Sequence, residues 1–239
     1  LSNYKGNIFF YICAMLSAND KAQISKRATP RWYFSRLPKF LKKIIYFLVH
    51  QYRIFIWDKK GNPVPPPHAI KQQTILSFNK NKQHKYFVET GTYLGDMLEA
   101  LQYDFEQLYS CELVPFIHDL AVKRFQNREN IHIILGDSTF ALPEIMKNIK
   151  APALFWLDGH YSGGDTGWSD VNGGCPIYDE MKTIFDSPYK HSIIIDDARC
   201  FNGDEVGYPV LEDFIKTVKE LYPIEFIEVK DDLIRIIKK

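Results

Sequence analysis

Five short apolar runs without polar alternation mark the chain from its middle onward: Tyr86–Glu89, Leu108–Glu112, Ile131–Leu135, Ala153–Leu157 and Ser192–Ile195. Between them the apolar residues recur at three- and four-residue spacing, over Asp96–Phe105, Pro115–Phe125, Phe140–Ile149 and Ile177–Phe185, and again over Val210–Leu221 after the fifth run. Apolar strands separated by amphipathic helices predict a parallel sheet covered on both faces. The rhythm breaks at the end. Ile224–Val229 and Leu233–Ile237 are separated only by Lys230-Asp231-Asp232, which cannot hold a crossover helix. They predict an antiparallel hairpin that finishes the sheet.

The first part of the chain reads differently. Residues 1–38 have no clean period and predict an irregular or partly helical lead-in. Over Lys39–Trp57, the residues Lys39, Lys42, Lys43, Tyr46, His50 and Arg53 recur at helical spacing and leave Phe40, Leu41, Ile44, Ile45, Phe47, Leu48 and Val49 elsewhere on the surface. This predicts a helix with a narrow basic stripe and a broad apolar girth. That girth is expected to bury against the main domain or a partner chain, or to lie on a membrane whose anionic lipids meet the basic side chains. Gly61-Asn62-Pro63-Val64-Pro65-Pro66-Pro67 is a stiff linker, and His68–Phe78 predicts a helix leading into the first strand. The expected organisation is a basic helical extension over 1–67 and an α/β domain over 68–239.

Composition narrows the picture. With 239 residues, 46% of them apolar and 25% charged, the chain can bury a sizeable core. The net charge of +1 hides an asymmetry, because residues 1–60 carry 12 basic side chains against two acidic ones, leaving the remainder net negative. A negative main domain speaks against nucleic-acid binding. Cys13, Cys111, Cys175 and Cys200 are scattered and form no Cys-x-x-Cys pair, which fits a reducing, cytoplasmic compartment. Ile8–Leu16 is too short to span a bilayer. The chain opens on Leu rather than Met, so it is expected to belong to a longer polypeptide.

The candidate chemistry stands at the carboxyl ends of the five runs, where open α/β sheets bind ligands. Glu89 and Gly91 follow the first, Glu112 ends the second, and Asp137-Ser138 follow the third. Asp158-Gly159-His160 follow the fourth and Asp196-Asp197 the fifth. Single acids at such positions are often helix caps, but five in a row along one edge exceed what capping requires. Glu112 lies about twenty residues beyond the glycine turn, where an acid can accept from both ribose hydroxyls. Asp137 and Ser138 are within reach of an adenine amino group. Tyr93 stands where a pyrophosphate-cradling loop would carry glycine, which turns the reading from a dinucleotide toward another adenosine-bearing ligand.

Glu-Thr-Gly-Thr-Tyr-Leu-Gly at 89–95, Glu112, Gly136-Asp137-Ser138, Leu-Asp-Gly at 157–159 and Ile-Asp-Asp at 195–197 resemble class I S-adenosylmethionine-dependent methyltransferases. Within that superfamily they are most similar to the macrocin-type sugar and antibiotic O-methyltransferases. The resemblance covers residues 68–239. It implies a Rossmann-like, mostly parallel seven-stranded sheet with a C-terminal antiparallel hairpin, and methyl transfer to a hydroxyl of a sugar or glycan. It also implies a divalent ion, Mg²⁺, held by Asp158, Asp196 and Asp197. Glu89 is placed near the cofactor's methionine amino group, with Thr90, Gly91, Thr92 and Gly95 in the adjoining loop. Glu112, Asp137, Ser138 and Asp158 complete the cofactor site. The related enzymes tend to carry an acid two residues after the fourth-strand Asp, as general base. Here that position is His160, which can take the same role because an unperturbed imidazole is largely neutral at cellular pH.

The Gly-rich segment 161–176 reads as a substrate-covering loop. In it Tyr161 and Trp168 suit stacking on a sugar and Asp165 suits its hydroxyls, while Arg199 suits either an anionic acceptor or an ion pair. The expected partners are a sugar or glycan acceptor, a glycosyltransferase domain upstream of Leu1, a membrane surface along residues 39–57, or further copies in an oligomer. The expected location is cytoplasmic, at or away from a membrane. Two rival readings use the same acids: an NAD-dependent sugar oxidoreductase, and a non-catalytic glycan- or membrane-binding module on a methyltransferase fold.

Overall fold

The computed structural model describes residues 17–80, 83–159, 175–204 and 207–239. Seven strands form one sheet in the order β3-β2-β1-β4-β5-β7-β6. They are β1 (Tyr86–Thr90), β2 (Gln107–Glu112), β3 (Ile131–Leu135), β4 (Ala153–Leu157), β5 (Ser192–Ile195), β6 (Ile224–Lys230) and β7 (Leu233–Lys238). The first five pair in parallel, β7 runs antiparallel to β5, and β6 pairs antiparallel with β7. The Rossmann-like sheet with its closing hairpin is therefore the expected one.

The apolar strands lack alternation because both faces are covered. Leu154 and Trp156 of β4 point into one core with Phe87, Leu108 and Ile194. Ala153, Phe155 and Leu157 point into the other with Val88, Ile193 and Ile195. Helices α3 (His68–Phe78), α4 (Asp96–Leu101) and α5 (Pro115–Phe125) supply Ile75, Leu98, Leu101 and Phe125 to the first core. Helices α6 (Ser138–Met146), α7 (Ile177–Phe185) and α8 (Leu211–Leu221) supply Leu142, Ile145, Met181, Ile184 and Phe214 to the second.

Of the boundaries that differ from expectation, two have a plain local reason. The helix after β1 stops at Leu101 rather than Phe105. Beyond it the chain turns, and Phe105 enters the core against Phe87, with ring centroids 5.3 Å apart. The helix after β3 starts at Ser138 rather than Phe140, because the Asp137 side chain accepts the Thr139 N–H at 2.8 Å and caps it.

Upstream, the lead-in is more regular than its sequence pattern: α1 (Ala18–Ser35) opens with a capping box in which Ser17 and Asp20 exchange side-chain and backbone hydrogen bonds. Helix α2 (Lys39–Lys59) follows. Both are built onto the sheet domain. Ile24 packs with Leu94, Val114 and Ile117, and Arg27 donates to the Tyr93 hydroxyl at 3.0 Å. A chain of alternating charges continues inward, from Arg31 to Asp96 at 2.8 Å, Asp96 to Arg124 at 2.8 Å, and Lys42 to Glu99 at 2.7 Å.

Helix α2 turns the expected faces around. The stripe of Lys42, Tyr46 and His50 faces inward, with Lys42 only 1% exposed, while Phe40, Ile44, Phe47, Leu48, Tyr52 and Phe55 stand at 53–68% exposure. The expectation that the apolar girth packs on the main domain is therefore corrected. Lys42 finds a buried carboxylate, and a paired ammonium that also donates to the Ser35 carbonyl at 2.7 Å can be buried.

Candidate active site

The strand order reverses between β1 and β4, and a cavity of about 280 Å³ opens there at the carboxyl ends of the strands. Glu89, Gly91, Thr92, Glu112, Asp137, Ser138 and Asp158 all line it. Seven residues expected to meet the cofactor are thus brought into one space. Thr90 and Gly95 are not among its lining. Thr90 is fully buried at the end of β1, and Gly95, with φ at +74°, N-caps α4 behind the loop.

Local structure fixes each wall. Gly91 adopts φ +84°, and a Cβ on it would lie 2.4 Å from the Asp158 carbonyl oxygen, so the turn after β1 can approach β4 this closely only as glycine. The Glu112 carboxylate accepts the Tyr93 N–H at 2.8 Å and the Val114 N–H at 2.9 Å. It is thereby held rigidly across the loop, with further lone pairs available to a ligand. Glu89 is 2% exposed and accepts from the Ser110 hydroxyl at 2.8 Å, which in turn lies 2.6 Å from the Thr92 hydroxyl. Burial pushes Glu89 up to about 8, against the Ser110 hydrogen bond. A buried acid at a cavity wall is poised to receive a cationic group.

Residues that no strand-end pattern marks also contribute to the cavity. Arg31 of α1 and His68 at the start of α3 line the cavity, and Trp156 of β4 forms part of its wall. Burial, followed by the Lys71 charge, holds the His68 imidazole below its usual range. Glu180 of α7 is fully buried behind Gly159, and burial pushes its carboxyl up to about 7, with the Ser138 and Thr90 hydroxyls opposing. The signal for Glu180 was present in the sequence, as an acid on the apolar face of a helix next to Ile177, Met181 and Ile184.

The expected metal ligands are not arranged as such. Among the described residues no three His, Cys, Asp or Glu side chains converge on a position that could hold a metal ion. Asp196, 1% exposed, is hydrogen-bonded by the Lys71 ammonium, which also stands 3.8 Å from Asp197. Asp197 in turn receives Arg199 at 2.8 Å, and Arg199 bridges on to Asp232. Arg199 is thus committed to an ion-pair network at β5 and the hairpin, rather than left for an acceptor. Among the described residues the Mg²⁺ site expected at Asp158, Asp196 and Asp197 is therefore not shown, and the Lys71 ammonium pairs with Asp196 there.

Burial, then the Asp196 charge, pushes the Asp158 carboxyl well above the ordinary range, with Lys71 opposing. His160, Tyr161, Asp165 and Trp168 lie outside the described residues.

No family profile matches the sequence, and no curated protein does. Solved structures match its fold. The O-methyltransferase from Bacillus cereus in complex with SAH is 12% identical, with 80% of this chain and 90% of that chain covered and a TM-score of 0.53. The SAH-bound Podospora anserina methyltransferase PaMTH1 is 15% identical, with 94% and 97% covered and a TM-score of 0.53. The SAM-bound O-methyltransferase TomG from Streptomyces achromogenes, involved in tomaymycin synthesis, is 13% identical, with 79% and 88% covered and a TM-score of 0.51. At these identities the likeness shows the fold alone, a Rossmann-like seven-stranded sheet with a closing antiparallel hairpin. No helix among the described residues is long and apolar enough to cross a membrane.

Proposed function

We propose that this chain is an S-adenosylmethionine-dependent O-methyltransferase whose acceptor is a hydroxyl of a sugar or glycan. The observation that carries the reading is the cavity at the β1/β4 switch point, which Glu89, Gly91, Glu112, Asp137 and Asp158 all line. The solved neighbours bound to SAM or SAH support the choice of cofactor. The sugar acceptor rests on the macrocin-type resemblance of the motifs at 89–95, 157–159 and 195–197.

The residues present fit this cofactor. Gly91 lets the loop after β1 pack directly on the end of β4, and both line the cavity. Glu89 offers a buried carboxyl to the methionine amino group, and Glu112, fixed by two backbone N–H donors, offers its free lone pairs to the ribose hydroxyls. Ser138 and Asp137, at the start of α6, line the same cavity and offer polar groups to the adenine. When bound, the cofactor supplies a sulfonium methyl that the acceptor oxygen takes as the C–S bond electrons return to sulfur.

The protein's share is alignment, exclusion of water and removal of the hydroxyl proton. Alignment alone is worth up to about 7–11 kcal/mol in well-oriented reactions. We assign the proton to the His160 imidazole, two residues beyond Asp158. A divalent ion has no step in this scheme, because Lys71 and Arg199 hold Asp196 and Asp197.

Calorimetry with S-adenosylhomocysteine tests the cofactor, with NAD titrated in parallel. Micromolar binding of the former alone is expected, and binding of NAD alone would establish the oxidoreductase reading instead. A screen of glycan acceptors with methyl-labelled cofactor, read by mass spectrometry, then tests the acceptor. Label in a sugar hydroxyl supports the proposal, and label only in a non-sugar acceptor would overturn its second half.

A further inference from the structure

The Lys71 ammonium occupies an unusual position. Helix α3 delivers it to the carboxyl end of β5, where its hydrogen-bond partner Asp196 is almost fully buried and Asp197 lies 3.8 Å away. It also stands 5.9 Å from the centroid of the Trp156 ring, the same ring that walls the cavity. Lys71 thus pairs with Asp196, and Arg199 with both Asp197 and Asp232. A hard dication requires about six oxygen ligands at about 2.0–2.1 Å and would meet an ammonium inside that shell.

We propose that Lys71 is the resident cation of this site, standing where a divalent ion would otherwise bind, and that the site is metal-independent. The part of this that concerns catalysis rests on the methyltransferase reading. The part that concerns metal binding does not.

Mn²⁺ titration followed by electron paramagnetic resonance tests it on the wild-type protein, on Asp196→Asn and on Lys71→Met. The methionine keeps the aliphatic stem and removes the charge. No saturable Mn²⁺ site is expected in the wild type, and Lys71→Met should gain affinity by at least roughly tenfold. A wild-type site lost in Asp196→Asn would overturn the proposal, as would a folded Lys71→Met that gains nothing. Where Lys71→Met fails to fold, the wild-type and Asp196→Asn titrations decide alone. S-adenosylhomocysteine binding measured on the same wild-type sample separates the two readings: its absence would sink the methyltransferase assignment and leave the Mn²⁺ result standing. Turnover undiminished in excess EDTA is the expected catalytic counterpart, and turnover restored only by added Mg²⁺ would overturn it.

A separate observation carries a second inference. Phe40, Ile44, Phe47, Leu48, Tyr52 and Phe55 form an exposed apolar face on α2, and the exposed basic residues Arg36, Lys43, Lys59 and Lys60 lie at its side and ends. Residues 17–60 hold 11 basic and two acidic side chains, so two copies meeting through this face would bring like charges together. An anionic bilayer complements both the apolar face and its basic rim.

We infer that α2 docks this chain onto an anionic lipid surface. Co-sedimentation with phosphatidylcholine vesicles, with and without phosphatidylglycerol, tests it. Binding is expected only with phosphatidylglycerol, lost at high salt and lost in Phe47→Glu/Leu48→Glu. No binding to either vesicle would overturn it, whether the protein is a monomer or a dimer that the same double substitution splits.

Discussion

The Gly91 Cα and the Asp158 carbonyl are so close that a Cβ at position 91 would stand 2.4 Å from that oxygen. The turn after β1 and the end of β4 are therefore in backbone contact, and this contact closes one end of the cavity. Gly91 also donates its N–H to the Cys111 carbonyl at 3.0 Å, so the turn cannot swing away without breaking a third strand's contact. Gly91→Ala adds both the clash and the strain of a side chain at φ +84°. It should cost at least about 1–3 kcal/mol in urea unfolding and abolish S-adenosylhomocysteine binding. Stability and binding at wild-type levels would mean that the β4 end yields freely.

Glu112 tests the opposite wall. Its two carboxylate oxygens accept from Tyr93 N–H and Val114 N–H, and Glu112→Gln leaves one of these donors facing an amide NH₂. The expected result is a loss of about 1–3 kcal/mol in stability, with S-adenosylhomocysteine affinity reduced roughly tenfold or more. Calorimetry reads the second effect, and unchanged affinity would remove Glu112 from the cofactor site.

The sheet was legible because burial on both faces leaves a local trace. Ala153–Leu157 can be wholly apolar only if each face meets a core, and a three-residue gap before β7 admits only a hairpin. The strand-end acids were legible because their positions follow from where strands stop. Lys71 was not, since its partner Asp196 is 125 residues away and no periodicity connects them. The direction of α2 was hidden for a related reason. A basic stripe reads as solvent-facing until Glu99 of α4 is known to lie beneath Lys42. Arg31 was hidden because residues 1–38 offered no period to place it by.

The Lys42–Glu99 pair makes the attachment of α2 measurable. Both side chains are at most 1% exposed, and with Lys42 removed Glu99 retains Gln102 Nε2 at 2.5 Å and Arg124 at 3.7 Å. Lys42→Met should destabilise by about 3–5 kcal/mol, because one partner leaves the other charged and buried. Lys42→Met combined with Glu99→Leu should recover much of that loss, since an apolar pair can replace a buried ion pair. A double variant no better than the single one in urea would show that Glu99 is needed by Arg124 rather than by Lys42.

Burial raises the pKa of Glu89 from 4.5 to about 8, so the folded apo-protein holds a proton that the unfolded chain releases. Stability from this group is complete below pH 4.5 and is lost as pH rises through about 8, at up to about 1.4 kcal/mol per pH unit. Other groups overlay this trend. His84 and His191, held by burial at about 4, contribute stability that is present above their ordinary pKa of 6.5 and lost on acidification, while Glu180 follows Glu89 only to about 7. The clean quantity is the difference between wild type and Glu89→Gln, which should fall across pH 5–8 while the other terms cancel. S-adenosylmethionine's ammonium at Glu89 would favour the carboxylate, so binding near neutral pH should release a proton. Calorimetry in buffers of different ionisation enthalpy reads that release. A wild-type protein that releases none, with a flat stability difference, would place the ammonium elsewhere in the cavity.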